Sequence, residues 1–189
     1  MTFYKLVDSP IGLLMLASDG DNLTGVTMES HRHGPVIGPD WQLSDRDPIL
    51  LQTASQLEEY FAGKRTTFDL PLNGVGTEFQ CRCWKTLTLI PFGETWSYGE
   101  MAKRVGNPDA SRAVGAANGK NPISIIVPCH RVIGSSGKLV GFGGGLPRKA
   151  SLLSFERAVS FGELAEEFWR ANPYSGNSEV GGIPRASLI

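Results

Sequence analysis

Apolar residues in the first third of the chain come in short runs broken by turn residues. Residues 3–7, 11–18 and 22–28 are such runs, separated by Ser9-Pro10 and by Asp19-Gly20-Asp21, and they predict strands joined as a meander or hairpin. Residues 30–47 are polar and rich in Gly and Pro, the composition of a long surface loop. The period then changes. Over 49–61, Leu50, Leu57 and Phe61 recur at helical spacing, and Gly63 supplies a stop. Residues 66–72 alternate well enough to predict one more strand, and Asn73-Gly74 marks a boundary.

Beyond that boundary the pattern is mostly helical. A helix over 77–90 would bury Phe79, Cys83, Trp84 and Leu87 and end before Pro91. Ser97-Tyr98-Gly99-Glu100 has the Ser-x-x-Glu form of a capping box and opens a helix that Gly106 ends. Asn107 can cap the next helix, with Pro108 at its first position and Gly119 closing it. Two short helices joined by a Gly-containing turn make the helix-turn-helix pattern. The second is built from Ala110, Ala113, Gly115, Ala116 and Ala117, with Arg112 its one long cation. So smooth a helix suits close approach to a narrow groove through backbone and phosphate contacts; it also suits two helices packing tightly. Ser160-Phe161-Gly162-Glu163 reads as a further capping box, ahead of a short helix carrying Leu164, Phe168 and Trp169. The residues after Ala171 have the composition of a disordered tail.

Charge changes the picture. The 189 residues hold 18 Lys and Arg against 19 Asp and Glu, a net −1 that excludes a highly basic coat or tail. The distribution is uneven. Residues 1–74 carry 5 basic and 10 acidic side chains, and residues 98–160 carry 9 and 3, so −5 faces +6. A polyanion would meet the second of these segments. No run approaches 18 apolar residues, the N-terminus lacks the pattern of a secretory signal, and three cysteines are too few and too odd for a disulfide framework. A soluble cytoplasmic protein is the expectation.

The chemistry concentrates at NPISIIVPCHRVI, residues 121–133. Residues 123–127 predict a buried strand that Pro128 ends just before Cys129. A cysteine there, beside His130 and Arg131, sits where positive charge would lower its pKa and favour the nucleophilic thiolate. An ordinary buried cysteine is the other reading. Adjacent residues point apart in extended chain, so a water between Cys129 and His130 would have to connect them. A glycine-rich loop follows, with Gly134, Gly137, Gly141, Gly143, Gly144 and Gly145 around Phe142, and it lacks the order of a P-loop. Glu156, on the helix starting near Pro147, is a surface charge or the carboxylate that orients His130. In the second case a nucleophile, a base and its orienter stand together.

At this density of motifs the sequence resembles the O6-alkylguanine-DNA alkyltransferases. PCHRVIGSSGKLVGFGGGLPRK, preceded by ETWSYGEMAKRVGNPDASRAVGAANGKNPISIIV, carries the resemblance from about Phe79 to Glu156. It is looser over 1–74 and fades after about 160. The resemblance implies an α/β N-terminal domain (1–74) with a small, ribonuclease H-like sheet. It also implies a mainly α DNA-binding and catalytic domain (75–160) with a winged-helix-like helix-turn-helix, followed by a short helix and tail (161–189). It implies single-turnover transfer of an alkyl group from guanine O6 in double-stranded DNA, with O4-alkylthymine a further candidate, to Cys129. His130 acts through a water, Glu156 completes the relay, Asn121 is the hinge asparagine, and Tyr98 crowds the DNA backbone and helps protonate guanine. Arg112 fills the gap left by the flipped nucleotide, while Gly99, Asn107, Ala113 and Ser135 complete the DNA face. Val132, Phe142 and Gly143 line the guanine pocket. No cofactor is implied, and the partner is DNA met by a monomer able to bind cooperatively, in the cytoplasm or a nucleus.

Two departures from the family pattern stand out. Where members bind zinc the ligands are N-terminal; here His31 and His33 would need Cys81 and Cys83, which point to nearly opposite sides of a helix, so no metal is expected. Phe142 replaces a tyrosine and keeps stacking without the hydroxyl. A damage binder without a nucleophile and a cysteine hydrolase are the rival classes. Cys129 argues against the first and the helix-turn-helix against the second.

Overall fold

The computed structural model describes residues 1–174. The predicted meander is present as β1 (Thr2–Val7), β2 (Leu14–Ser18) and β3 (Leu23–Met28), antiparallel with Phe3 opposite Ser18 and Leu14 opposite Met28. Asp19 makes the second turn by accepting the N–H groups of Asp21 and Asn22, which frees Gly20 to take φ +100°. Residues 30–47 are not wholly loop. β4 (Trp41–Leu43) lies parallel to β1 and completes a sheet of order β3-β2-β1-β4.

Helix α1 (Pro48–Phe61) starts where Asp47 accepts the Leu50 N–H, with Pro48 in the first turn. The other Asp47 oxygen accepts from Ser18, tying the helix start to β2. Its end is a Schellman motif: Gly63 at φ +70° donates to Tyr60 O and Lys64 to Glu59 O. The strand expected over 66–72 reduces to one bridge, Leu72 to Leu23. Side chains from α1 occupy the backbone there instead. Gln56 brackets Asp69 by donating to its carbonyl and accepting its N–H, and Gln52 donates to the same carbonyl.

The second half contains α2 (Glu78–Leu87), α3 (Tyr98–Arg104), α4 (Ser111–Gly119), α5 (Leu146–Ser160) and α6 (Ala165–Ala171). Thr77 and Gln80 form a reciprocal capping box on α2, and Ser97 caps α3 by accepting from Glu100 N–H. Asn107 does not cap α4. Its N–H donates to Ala102 O while Gly106 donates to Lys103 O, so Asn107 closes the Schellman motif of α3. Residues 107–110 then form a separate turn, and α4 begins at Ser111 without a side-chain cap. The box expected at 160–163 fails similarly: Ser160 is the last residue of α5, and Gly162 and Glu163 terminate that helix by donating to Val159 O and Ala158 O. Two-residue strands β5 (Trp96–Ser97) and β6 (Val132–Ile133) pair in parallel and join the helix-turn-helix to the segment after Cys129.

Residues 123–127 are buried as expected but do not form a strand. Ile125 takes φ +73°, and only isolated bridges remain, one of them pairing Ile123 with Val26 of β3. That pairing, through Val26 N–H to Pro122 O and Ser124 N–H to Val26 O, welds the two halves by backbone. Among the described residues no helix is long and apolar enough to cross a membrane. Tyr174, within the expected tail, packs its ring 4.9 Å from the Arg148 guanidinium; the rest of that tail, 175–189, lies outside the described residues.

Candidate active site

Cys129 opens a single turn of 3-10 helix (Cys129–Arg131) directly after Pro128, which turns the chain inward at the end of the buried segment. The thiol is 4% exposed. Asn121 holds it: the side-chain nitrogen donates to Val127 O at 2.8 Å and to Cys129 Sγ at 3.2 Å, while its oxygen accepts the Ile123 N–H. Burial pushes the thiol pKa up, and the Asn121 hydrogen bond and the charge of Lys149 offset only part of that rise. The expectation that Arg131 would lower it fails on geometry, because that guanidinium turns away to Glu156 and to Ile90 O. The resting Cys129 side chain is a neutral thiol.

His130 and Glu156 come together as expected. Both are fully buried, with Nε2 of His130 2.8 Å from Oε1 of Glu156. Glu156 is the centre of the cluster. Oε1 also accepts from Tyr60 Oη at 2.7 Å and Arg131 Nη2 at 2.9 Å, and Oε2 accepts from Arg131 Nε at 2.8 Å and Gly93 N–H at 3.1 Å. Burial raises the Glu156 pKa, but the hydrogen bonds from His130 and Arg131, with the Arg131 charge, outweigh it and hold the carboxyl well below the usual range. Burial pushes the His130 pKa down, offset only in part by Glu156. An ionised Glu156 fixes the proton of neutral His130 on Nε2, so Nδ1 is an acceptor, and it has no partner among the protein atoms.

Lys149 escaped the sequence reading. Fully buried in the first turns of α5, it donates to Val132 O at 2.6 Å, Val140 O at 2.8 Å and Gly141 O at 3.2 Å, and burial brings its pKa down to about 8. It therefore ties the glycine-rich loop to β6 and places a charge near the thiol. Tyr98, at the start of α3, donates to Val140 O at 3.1 Å, and burial with the neighbouring Cys129 pushes its pKa up to about 12. Phe142 stands edge-on to His130 with ring centroids 6.5 Å apart. Gly143 is pressed against the N-terminal half. Its carbonyl accepts from Arg32 N–H, and a Cβ there would fall 2.2 Å from the His31 ring.

The remaining predicted residues are not in the buried cluster. Arg112 and Ala113 share the exposed face of α4, Asn107 is exposed in the turn before it, Gly99 is half-buried, and Ser135 is exposed. Asn118, also on α4, is buried with both side-chain polar atoms unpartnered.

Comparison with known proteins fits this geometry. Residues 2–73 match the 6-O-methylguanine DNA methyltransferase ribonuclease-like domain, and residues 78–158 match the DNA binding domain of the same enzyme. A methylated-DNA--protein-cysteine methyltransferase of Mycolicibacterium paratuberculosis is 52% identical over 85% of this chain and 95% of its own length. One from Methanosarcina acetivorans is 47% identical over 82% and 97%. The crystal structure of Mycobacterium tuberculosis OGT in complex with DNA superposes with a TM-score of 0.80 at 48% identity, covering 88% of this chain and 98% of that one. With both of its halves matched in order, the chain belongs to the 6-O-methylguanine DNA methyltransferase family.

Proposed function

We propose that the protein repairs DNA by direct reversal, moving the alkyl group of O6-alkylguanine onto its own Cys129. The observation that carries this reading is a neutral, Asn121-held thiol beside the His130–Glu156–Arg131 cluster, joined to a helix-turn-helix by the β5–β6 pair. The target oxygen lies within the base stack, so the nucleotide leaves the duplex before reacting, and Arg112 on the exposed face of α4 fills the space behind it. Tyr98, Gly99, Asn107, Ala113 and Ser135 meet the DNA, and Val132, Phe142 and Gly143 bound the base pocket.

His130 Nδ1 takes the Cys129 proton through a water, while Glu156 stabilises the resulting imidazolium. The thiolate attacks the alkyl carbon. A sulfur–carbon bond forms, the oxygen–carbon bond breaks, and its electron pair goes to guanine. Tyr98, whose high pKa keeps the phenol protonated, hydrogen-bonds to the departing base, which takes up in net the proton that the thiol released. The thioether does not revert, so each molecule acts once.

In the same reading residues 1–74 are a ribonuclease H-like domain, 75–160 a winged-helix-like catalytic domain and 161–189 a short helix and C-terminal tail. The protein works in the cytoplasm, or a nucleus, as a monomer that can load cooperatively on DNA. The test is to incubate the protein with duplex containing O6-methylguanine and weigh it. One methyl, about 14 Da, should appear on Cys129 at one equivalent and be lost in Cys129→Ala. DNA binding without a mass change would support a damage binder, and turnover on esters would support a hydrolase.

A further inference from the structure

The catalytic carboxylate is held partly from the other half of the molecule. Tyr60 lies in the last turn of α1, 96 positions before Glu156, and is completely buried. Its ring is surrounded by Phe61, Phe68, Phe92 and Phe155, with centroids 5.1 to 5.9 Å away. An apolar cage of this kind would fit phenylalanine as well. The hydroxyl has one partner, Glu156 Oε1, the same oxygen that accepts from His130. We propose that Tyr60 is a positioning residue for alkyl transfer, its hydroxyl setting how strongly Glu156 pulls on His130 and so making the N-terminal domain part of the relay.

The argument is electrostatic. A carboxylate has about four lone-pair sites, and Glu156 satisfies five donor contacts, three of them on Oε1. Each further donor withdraws charge from Oε1 and weakens its hold on an imidazolium. Burial and the charge of Glu156 push the Tyr60 pKa well above 10, so the phenol donates at every working pH. The charged and titratable groups around His130 are Glu156 and Lys149 from α5, with Cys129 and Arg131 from its own turn. Tyr60 reaches it only through Glu156. Without the hydroxyl, Oε1 is more basic, the imidazolium is better stabilised, and His130 is protonated at higher pH. A protonated His130 cannot take the thiol proton.

This inference rests on the relay assigned to His130 and Glu156, and the experiment separates the two. Single-turnover transfer from O6-methylguanine duplex is followed against pH for the full chain, Tyr60→Phe and Glu156→Gln. The acid limb of Tyr60→Phe should move upward, so that on the limb it reacts roughly tenfold more slowly than the parent, an effect equivalent to about 1.4 kcal/mol, while above the limb its rate is not reduced. Its affinity for undamaged duplex should not change. A Glu156→Gln variant with an unchanged rate and limb would defeat the relay itself. Loss in Glu156→Gln with Tyr60→Phe keeping the parent limb, whatever its rate, would overturn the role given to Tyr60 and leave it structural. Should Tyr60→Phe fail to fold, 3-fluorotyrosine installed at position 60 decides the matter. Its stronger donor should move the limb downward, and an unmoved limb overturns the inference.

Discussion

Replacing Arg131 with Met tests the buried cluster most directly. Arg131 is 5% exposed and Glu156 is fully buried; the substitution removes two donors from the carboxylate and a third from Ile90 O. Breaking one side of a buried ion pair costs about 3–5 kcal/mol, because the remaining charge is stranded. At roughly 2–4 °C per kcal/mol for a chain of this size, the thermal midpoint should fall by about 6–20 °C. The loss should also depend on pH. In the parent protein the Glu156 pKa lies below its ordinary 4.5, so its stabilisation is complete above that value and drains away only as pH falls below it. In Arg131→Met, burial is opposed by one charge fewer and the pKa rises. A carboxyl whose folded pKa is raised loses stability as pH increases through its unfolded value. The gap between the two proteins should therefore be widest near neutrality and narrow as the pH falls through the variant's raised pKa, toward about pH 3. Denaturant unfolding of both proteins across that range measures it. A loss under about 1 kcal/mol, or one of equal size at both ends, would refute the account of Glu156 as a buried charge held by Arg131.

Other substitutions separate the remaining parts. Lys149→Met removes the charge facing the thiol and three donors to the pocket segment, so alkylation of Cys129 should slow at least about tenfold; an unchanged rate at neutral pH would show that this charge does not act on the thiol. Asn118→Leu replaces a buried amide with no partners by an apolar side chain of similar size. It should stabilise the fold or leave it unchanged, since an unsatisfied group costs about 1–3 kcal/mol, and a clear drop in midpoint would mean the amide is bonded. Arg112→Ala should slow repair of duplex DNA while sparing reaction with a free O6-benzylguanine-type base, because a wedge matters only when a base must leave the stack. Equal losses on both substrates would remove that role.

How much of this was readable in the sequence depends on how far each residue's partner lies along the chain. Ser97, Gly63 and the turn at Asp19 act on neighbours within four positions, and their effects were legible. Asn107 is ambiguous in sequence because the same residue type that caps a helix start can close the preceding helix end; the bond to Ala102 decides between them. Residues 66–72 have strand composition, yet Gln52 and Gln56 on α1 take up the backbone groups of Asp69 in their middle, and no local pattern encodes that. The meeting of His130 with Glu156 was legible through motif and resemblance. Lys149 does leave a signal in the sequence: it stands seven residues before Glu156, two helical turns, so both project from one face of α5. Tyr60 left none, since it reaches Glu156 across 96 positions.

The way the cluster sets its pKa values also explains why the nucleophile keeps. Burial raises the Cys129 pKa and lowers that of His130, so the same absence of water drives both groups toward their neutral forms. Each unit of rise cuts the thiolate fraction about tenfold, which protects an irreplaceable thiol from oxidants and stray electrophiles between lesions. The proposed proton transfer from thiol to imidazole would then create two opposite charges within a site already built to receive them: Asn121 and Lys149 face the sulfur, and Glu156 faces the imidazole. Those groups are fixed before the substrate arrives, so little reorganisation is needed as charge develops. A permanent thiolate would gain rate only by reacting with everything. A neutral pair with prearranged partners gains rate where an alkyl carbon is held against the sulfur and a donor waits at the leaving base, the part proposed for Tyr98.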